Sequence, residues 1–361
     1  MSKEIGGEFW LTKVPNKYID SSPEWINEWG NHILTSSGRG AIMLMLKHVK
    51  DRVTSKIALL PAYICESVIM PFIKEGYNCY FYDINYDLKP NIESIKCNLK
   101  LKIGIFLHMG YFGFSTNDNL YTIISDLKSS GTIIVEDVTH TLFSKFERYP
   151  ENDYYVASLR KWAGLPSGGF LASKYDDINY CFNKQRNFIS IRKEALLLKR
   201  QYVESNSSKL KDKFLHMFHE AEEILNQDLG PYVIDEVSNT IINKLDTEIL
   251  ITRRRGNFIY LHDALRNIKD IELIFKNISN ATCPIFFPVY VHAGRNKLKE
   301  LLISEDIYCP IHWPIPPQVN INSYPLSKDI YRMILSIPCD QRYNIKDMQR
   351  IRDVIYQYYL T

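Results

Sequence analysis

The chain has 361 residues, 45% hydrophobic and 24% charged, an ordinary globular composition with room for two domains and a large core. A formal net charge of +3 is too small to argue for nucleic acid, and no apolar run approaches the roughly 18 residues of a membrane span, so neither partner is expected. The cysteines, at 65, 79, 97, 181, 283, 309 and 339, form no C-x-x-C pair, and the opening MSKEIGGEFW has no apolar signal core; no disulfide framework, no metal site and a cytoplasmic location are expected.

In chain order, residues 1–30 are rich in Gly, Trp and Pro and show no clear period. Ser36-Ser37-Gly38-Arg39-Gly40 then leads into AIMLMLKHV, an apolar and helix-favouring run. A helix start leaves backbone N–H groups free, and its dipole favours an anion, so Gly38 and Arg39 are candidates for gripping a phosphate. The same residues suit a plain Ser-Gly cap. Ile57 to Leu60 reads as a strand, Glu66 to Lys74 as a helix and Cys79 to Tyr82 as a strand, a βαβ rhythm. Tyr63, between the first two, is either a pocket aromatic or a core one. Lys102 to Leu107 is a further strand ending on His108, which either lines a pocket or closes the turn. Leu120 to Leu127 reads as a crossover helix.

The stretch from Thr132 to Phe170 carries the chemistry. Its β-branched start, Thr132 to Val135, reads as a buried strand that runs out on Glu136 and Asp137. In open α/β sheets ligands sit at the carboxyl ends of strands. His140 follows Asp137 by three residues. A second strand, Asp153 to Ser158, runs into Ser158-Leu159-Arg160-Lys161, then Gly168-Gly169 and the apolar Phe170 to Ala172. Pyridoxal 5′-phosphate needs a lysine amine for its Schiff base and a carboxylate that keeps its pyridine nitrogen protonated. An acid at one strand end, a lysine past another and a glycine pair behind it supply that combination. Singly, each residue has a plainer reading: Asp137 as a cap, Lys161 as a solvated side chain, His140 as a core histidine. The joint order favours the cofactor.

From Tyr175 to Leu229 the pattern is helical and polar, with two amphipathic segments that read as solvated faces or as subunit and substrate contacts. Leu245 to Leu265 reads as a long helix joining two domains. Strand-like runs at Pro284 to Val291 and Met333 to Ile337 flank a loop holding His312, and Asp347 to Tyr359 closes as a helix. The expected division is residues 1–240 as a large domain with its N-terminal arm, and 241–361 as a small domain that includes the joining helix.

The succession D-x-x-H, S-x-x-K and G-G resembles the DegT-type (sugar) aminotransferases of the aspartate-aminotransferase superfamily, of which this would be an outlying member. Glu136-Asp137-Val138-Thr139-His140 matches the family's E-D-A-A-[QH], and Gly168 and Gly169 follow Lys161 by the family's seven and eight residues. The resemblance implies an α/β fold: an aspartate-aminotransferase-like large domain with a mostly parallel mixed sheet, plus a smaller α+β C-terminal domain. It implies Lys161 as the Schiff-base lysine, Asp137 facing the pyridine nitrogen and His140 facing the 3′-oxygen. Gly38, Arg39 and Ser158, with Arg160 beside them, would meet the phosphate, Tyr63 would stack on the ring, and His108 and His312 would face substrate. Gly6-Gly7-Glu8-Phe9 resembles the family's N-terminal arm, which often lies across a partner subunit. Three departures stand out. Ser158 lies three residues before Lys161, as in the wider superfamily, whereas most DegT-type members carry the serine further upstream. Cys65 falls where the family has its stacking aromatic, and the N-x-R-M-S motif, whose asparagine reaches the neighbour's phosphate, is matched only by Ser238 in Asp235-Glu236-Val237-Ser238. The implied activity is transfer of an amino group from glutamate to a keto-sugar nucleotide or similar carbonyl acceptor, by a homodimer, in polysaccharide biosynthesis. A lyase or dehydratase on the same scaffold and a non-catalytic regulatory protein are the alternatives. The retained Lys161 speaks for transamination, since the family's sugar dehydratases carry histidine there.

Overall fold

Short apolar runs alternate with amphipathic helices through the first half of the chain, and that rhythm builds a parallel sheet. The computed structural model describes residues 4–12, 18, 21–175, 178, 183–205 and 207–360. In order come β1 (Ile5–Gly6), β2 (Asn31–Thr35), α1 (Gly38–His48), β3 (Ile57–Pro61), α2 (Glu66–Lys74) and β4 (Asn78–Tyr82). They are followed by α3 (Ile92–Asn98), β5 (Ile105–Met109), α4 (Tyr121–Ser129), β6 (Ile133–Asp137), β7 (Tyr154–Ser158) and β8 (Gly169–Ser173). Seven of these strands form one sheet in the order β2-β8-β7-β6-β5-β3-β4. The run from β7 to β4 is parallel throughout, while β8 is antiparallel to both neighbours. Every residue of β5 and β6 is buried, as expected for parallel strands covered on both faces. Met109 pairs with Asp137 and Asp137 with Val156, so the carboxyl ends of β5, β6 and β7 share one edge.

The second half is helical first. Helices α5 (Arg186–Ser205) and α6 (Ser208–Gln227) pack on each other, followed by α7 (Glu236–Asn243) and α8 (Thr247–Leu265). Then come β9 (Ile271–Leu273), β10 (Phe287–Val291), α9 (Arg295–Ser304), β11 (Ile307–Tyr308), α10 (Pro325–Met333), β12 (Ile334–Ile337) and α11 (Ile345–Leu360). Strands β12-β10-β9 form an antiparallel sheet, packed by α8, α9 and α10, with α11 lying on α8 and α9. The mixed, mostly parallel sheet and the smaller α+β unit expected from the sequence are both present.

The N-terminal arm is anchored within its own chain: β1 pairs in parallel with β11, Gly6 opposite Tyr308. Gly6 has φ +90°, and a Cβ there would sit 2.2 Å from the Tyr308 carbonyl oxygen, so glycine is required for the two segments to meet. The cysteines other than Cys181 are free thiols, and Cys181 lies outside the described residues. No helix among the described residues is long and apolar enough to cross a membrane.

Candidate active site

A cavity of about 660 Å³ opens at the carboxyl edge of the large sheet. Its walls come from the start of α1, the turns after β6 and β7, the arm, helices α5 and α6, and the loop after β11. Gly38, Arg39, Asp137, His140, Ser158, Lys161 and His312, all picked from the sequence, line it together.

Asp137 ends β6 buried, with Oδ1 accepting from the Thr139 N–H at 2.8 Å. Burial pushes its carboxyl up to about 6; bonds from Thr139 pull the other way, and Glu136 adds to the rise. It has no ion-pair partner among the described residues. Its neighbour Glu136 points to the other face of the strand, as alternation requires. There it pairs with Arg148 and accepts from Asn152 Nδ2 at 2.8 Å.

His108 belongs to that second face, which corrects its assignment to the substrate. Asn117 Nδ2 lies 2.8 Å from its Nδ1, and its Nε2 lies 3.0 Å from Asn152 Oδ1, so it completes a buried polar network. Met109, the next residue of β5, faces the cavity instead. Tyr63 also needs correcting. It is fully buried, its hydroxyl donates to the His312 carbonyl, and its own carbonyl accepts from the Tyr111 hydroxyl at 2.6 Å. Packed against Tyr111, Trp313 and Tyr331, the ring does not line the cavity. Cys65, the residue that opens α2, lines it in place of an aromatic.

His140 Nδ1 accepts from the Phe112 N–H at 3.3 Å, which leaves Nε2 as the N–H of the neutral ring. Burial and the Lys161 cation push its pKa down to about 3. The ring lies near-parallel to Trp313, with centroids 5.4 Å apart. His312 bonds Ser336 Oγ through Nδ1 at 2.8 Å, and burial, Lys161 and His140 hold it neutral as well.

Lys161 ends the 3₁₀ turn Leu159–Lys161 directly after β7. Its ammonium makes no hydrogen bond or ion pair among the described residues. The glycine pair ties this turn to α1. Leu159 N–H donates to the Gly168 carbonyl at 3.1 Å, and Gly168 N–H to the Ser36 carbonyl at 2.7 Å. A Cβ on Gly169 would lie 2.0 Å from the Ser37 carbonyl oxygen.

The start of α1 forms the cationic wall. Ser37 Oγ caps the Gly40 N–H at 3.0 Å, and Ser158 packs against Gly38. Arg39 and Arg160 both reach Glu222 on α6, at 3.0 and 2.6 Å, while Arg192 on α5 donates to Glu8 of the arm at 2.9 Å. Burial works against ionised Glu222, but Arg160, Arg39 and Arg192 together hold it well below the usual carboxylate range. Burial likewise opposes ionised Glu8, and the Arg192 and Lys161 cations hold it low. Glu8, Arg192 and Glu222 went unnoticed in the sequence. A signal existed: the buried positions of α5 are Phe188, Arg192, Ala195, Leu196, Lys199 and Tyr202, so two cations stand on the apolar stripe.

No protein-family model matches the sequence, and no curated protein matches it. Solved structures do. Helicobacter pylori PseC, an aminotransferase involved in the biosynthesis of pseudoaminic acid, is similar over 99% of this chain and 99% of its own, with TM-score 0.73 and 11% identity. Spr1654 from Streptococcus pneumoniae, described as a sugar aminotransferase and solved in its PLP form, is similar over 97% of each chain, with TM-score 0.70 and 12% identity. S. venezuelae DesV, solved with a ketimine intermediate, covers 95% of this chain and 91% of its own, with TM-score 0.67 and 14% identity. The chain therefore has the fold of the sugar aminotransferases.

Proposed function

We propose that this protein is a pyridoxal-phosphate-dependent aminotransferase of the DegT type, moving an amino group from glutamate to a keto-sugar nucleotide or similar carbonyl acceptor. One observation carries the reading. A single cavity brings together a buried carboxylate, Asp137, and a lysine, Lys161, neither with an ionic partner among the described residues, beside a helix start flanked by arginines. The residues fit the cofactor. A protonated pyridine would give Asp137 a counter-charge, and buried N–H groups of Arg39, Arg160 and Arg192 without hydrogen-bond partners among the described residues mark a wall short of negative charge. The volume lies in the range of small-molecule sites.

When bound, pyridoxal 5′-phosphate supplies an aldehyde that takes up amines and a ring that withdraws electrons from the bonds around the nitrogen. Asp137 would hold the proton on the pyridine nitrogen, Gly38, Arg39, Ser158 and Arg160 would anchor the phosphate, and the His140 Nε2–H would donate to the ring oxygen. Lys161 Nζ would hold the cofactor covalently and, as a free amine, would be the group to move a proton at the substrate carbon. Met109, Val156, Ile285 and Trp313 line the cavity with apolar surface that would exclude water from the reacting carbon, and His312 would meet the substrate as a neutral ring.

The same reading takes the protein as a homodimer. Leu215 and Ile303 line the cavity yet are 50% and 40% exposed, and a second subunit would cover them. By resemblance, residues 1–240 carry the cofactor and 241–361 close the site, and the product feeds polysaccharide biosynthesis in the cytoplasm. The purified protein should show the visible absorption of bound cofactor, which glutamate should shift with release of 2-oxoglutarate. Lys161→Ala should fold but retain no cofactor through borohydride reduction and denaturation. Wild-type protein that ignores the cofactor and glutamate, or a Lys161→Ala protein that still holds the cofactor covalently, would overturn the reading.

A further inference from the structure

Glu222 presents a puzzle, because a carboxylate beside a phosphate site competes with the phosphate. Its two oxygens accept Arg39 Nη1 at 3.0 Å and Arg160 Nη1 at 2.6 Å, and Arg192 Nη1 stands 3.6 Å from Oε1. Each of the first two arginines commits one terminal nitrogen. Nε and Nη2 of both make no hydrogen bond among the described residues, and neither does Nη1 of Arg192, which is only 2% exposed. Three guanidiniums against Glu222 and Glu8 leave one positive charge, and a phosphate group would bring about −1.5 to −2, the opposite sign to that excess.

We propose that Glu222 is a positioning residue that sets Arg39 and Arg160 around a phosphate seat whose donors all come from one chain. This rests on the cofactor reading above. A guanidinium is a planar fork, so pinning one edge to a carboxylate fixes where the other edge points. Without Glu222 the two cations would repel each other and turn toward solvent. The segment expected to serve the neighbouring subunit is already committed within its own chain. Asp235 Oδ1 accepts from the Val237 and Ser238 N–H groups at 3.0 Å each, capping α7, and Oδ2 accepts from Ser167 Oγ at 2.6 Å. An aspartate there would in any case repel a phosphate. Arg160 and Arg39 supply from within what that motif supplies from outside.

The test compares binding of pyridoxal 5′-phosphate, pyridoxal and uridine diphosphate to the full-length protein and to Arg160→Gln, Glu222→Gln and Asn239→Ala, the last removing the asparagine beside Ser238, which is the one amide side chain in that segment able to reach a neighbour's phosphate. Arg160→Gln and Glu222→Gln should each weaken pyridoxal 5′-phosphate by about tenfold or more, the worth of a charge-assisted bond, with pyridoxal unchanged. Asn239→Ala should bind both as wild type does. Retained pyridoxal affinity also shows that the variants are folded. Equal weakening of the two ligands, or none, would overturn the proposal. So would a loss confined to uridine diphosphate, which would hand the seat to a substrate diphosphate. A loss in Asn239→Ala matching that in Arg160→Gln would show that the seat needs the neighbour. Wild-type protein that binds neither pyridoxal form would instead sink the cofactor reading itself.

Discussion

Replacing Asp137 by asparagine should stabilise the cofactor-free protein above pH 6 and destabilise the loaded one. Asp137 is 4% exposed, and burial raises its carboxyl from 3.8 to about 6. Over that interval the folded protein keeps a proton that the unfolded chain has released. Folding therefore takes up a proton, and the stability contributed by this residue falls as pH rises from about 3.8 to 6 and levels off above. The difference corresponds to about 3 kcal/mol of unfavourable burial of the charged form at neutral pH. Asparagine keeps the acceptor for the Thr139 N–H and has no charge to bury.

The assay is denaturation of cofactor-free wild type and Asp137→Asn across pH 3.5 to 8. The two curves should nearly coincide at the acid end, separate through pH 4 to 6 and run parallel above, with the variant ahead by up to about 3 kcal/mol. Adding pyridoxal 5′-phosphate should reverse the order, because a pyridinium pairs with the carboxylate and not with the amide. Curves that stay parallel over the whole range would refute the argument: Asp137 would then not be an isolated buried acid.

Three further outcomes are expected. Tyr63→Phe removes the hydroxyl that bonds the His312 carbonyl and should cost about 1–2 kcal/mol of stability while leaving cofactor affinity within about twofold, since the ring lies outside the cavity; a titration showing a tenfold loss would return Tyr63 to the site. Gly6→Ala drives a methyl into the Tyr308 carbonyl, so limited proteolysis should cut the arm far faster and bound cofactor should be lost more readily; an unchanged digest would mean that β1 tolerates a side chain. Sedimentation at micromolar concentration should give a dimer, and a fully active, cofactor-bearing monomer would remove that claim.

Strands β3 and β5 to β8 were legible because a strand inside the sheet is covered on both faces and reads as an apolar run, and edge strand β4 was legible from its aromatic run Tyr80-Phe81-Tyr82. Strand β2 was not: Asn31-His32-Ile33-Leu34-Thr35 forms an edge, with polar ends and an exposed start. The site divides the same way. Asp137, His140, Ser158 and Lys161 come from two short segments at the ends of adjacent strands, so order along the chain sufficed to bring them together. Tyr63 and His108 were misplaced because the choice between pocket and core turns on which way one residue faces. For His108 that is the parity of its position on β5, and Met109 took the cavity. Residue type alone carries no information on parity.

The cationic wall escaped for a different reason, and that reason bears on how the site forms. Its pairs join distant segments: Arg192 to Glu8, Arg39 to Glu222, and Arg342 to the Gly7 and Glu8 carbonyls, the last across more than 330 residues. Such pairs have no local signature. Arg342 is itself held from two sides by Asp340, at 2.8 and 2.9 Å, and packs on the Phe9 ring, so the C-terminal segment fixes the arm. The arm in turn brings Glu8 to Arg192 and Glu4 to Lys199. A buried cation whose partner is missing costs several kcal/mol, and Arg192 and Lys199 are both buried on α5. Displacing the arm would take Glu8 from Arg192 and Glu4 from Lys199, leaving Arg192 only the Leu165 carbonyl and Glu222, the latter at 3.6 Å. Disturbing either end of the chain should therefore loosen α5 beneath the cationic wall and weaken anion binding there.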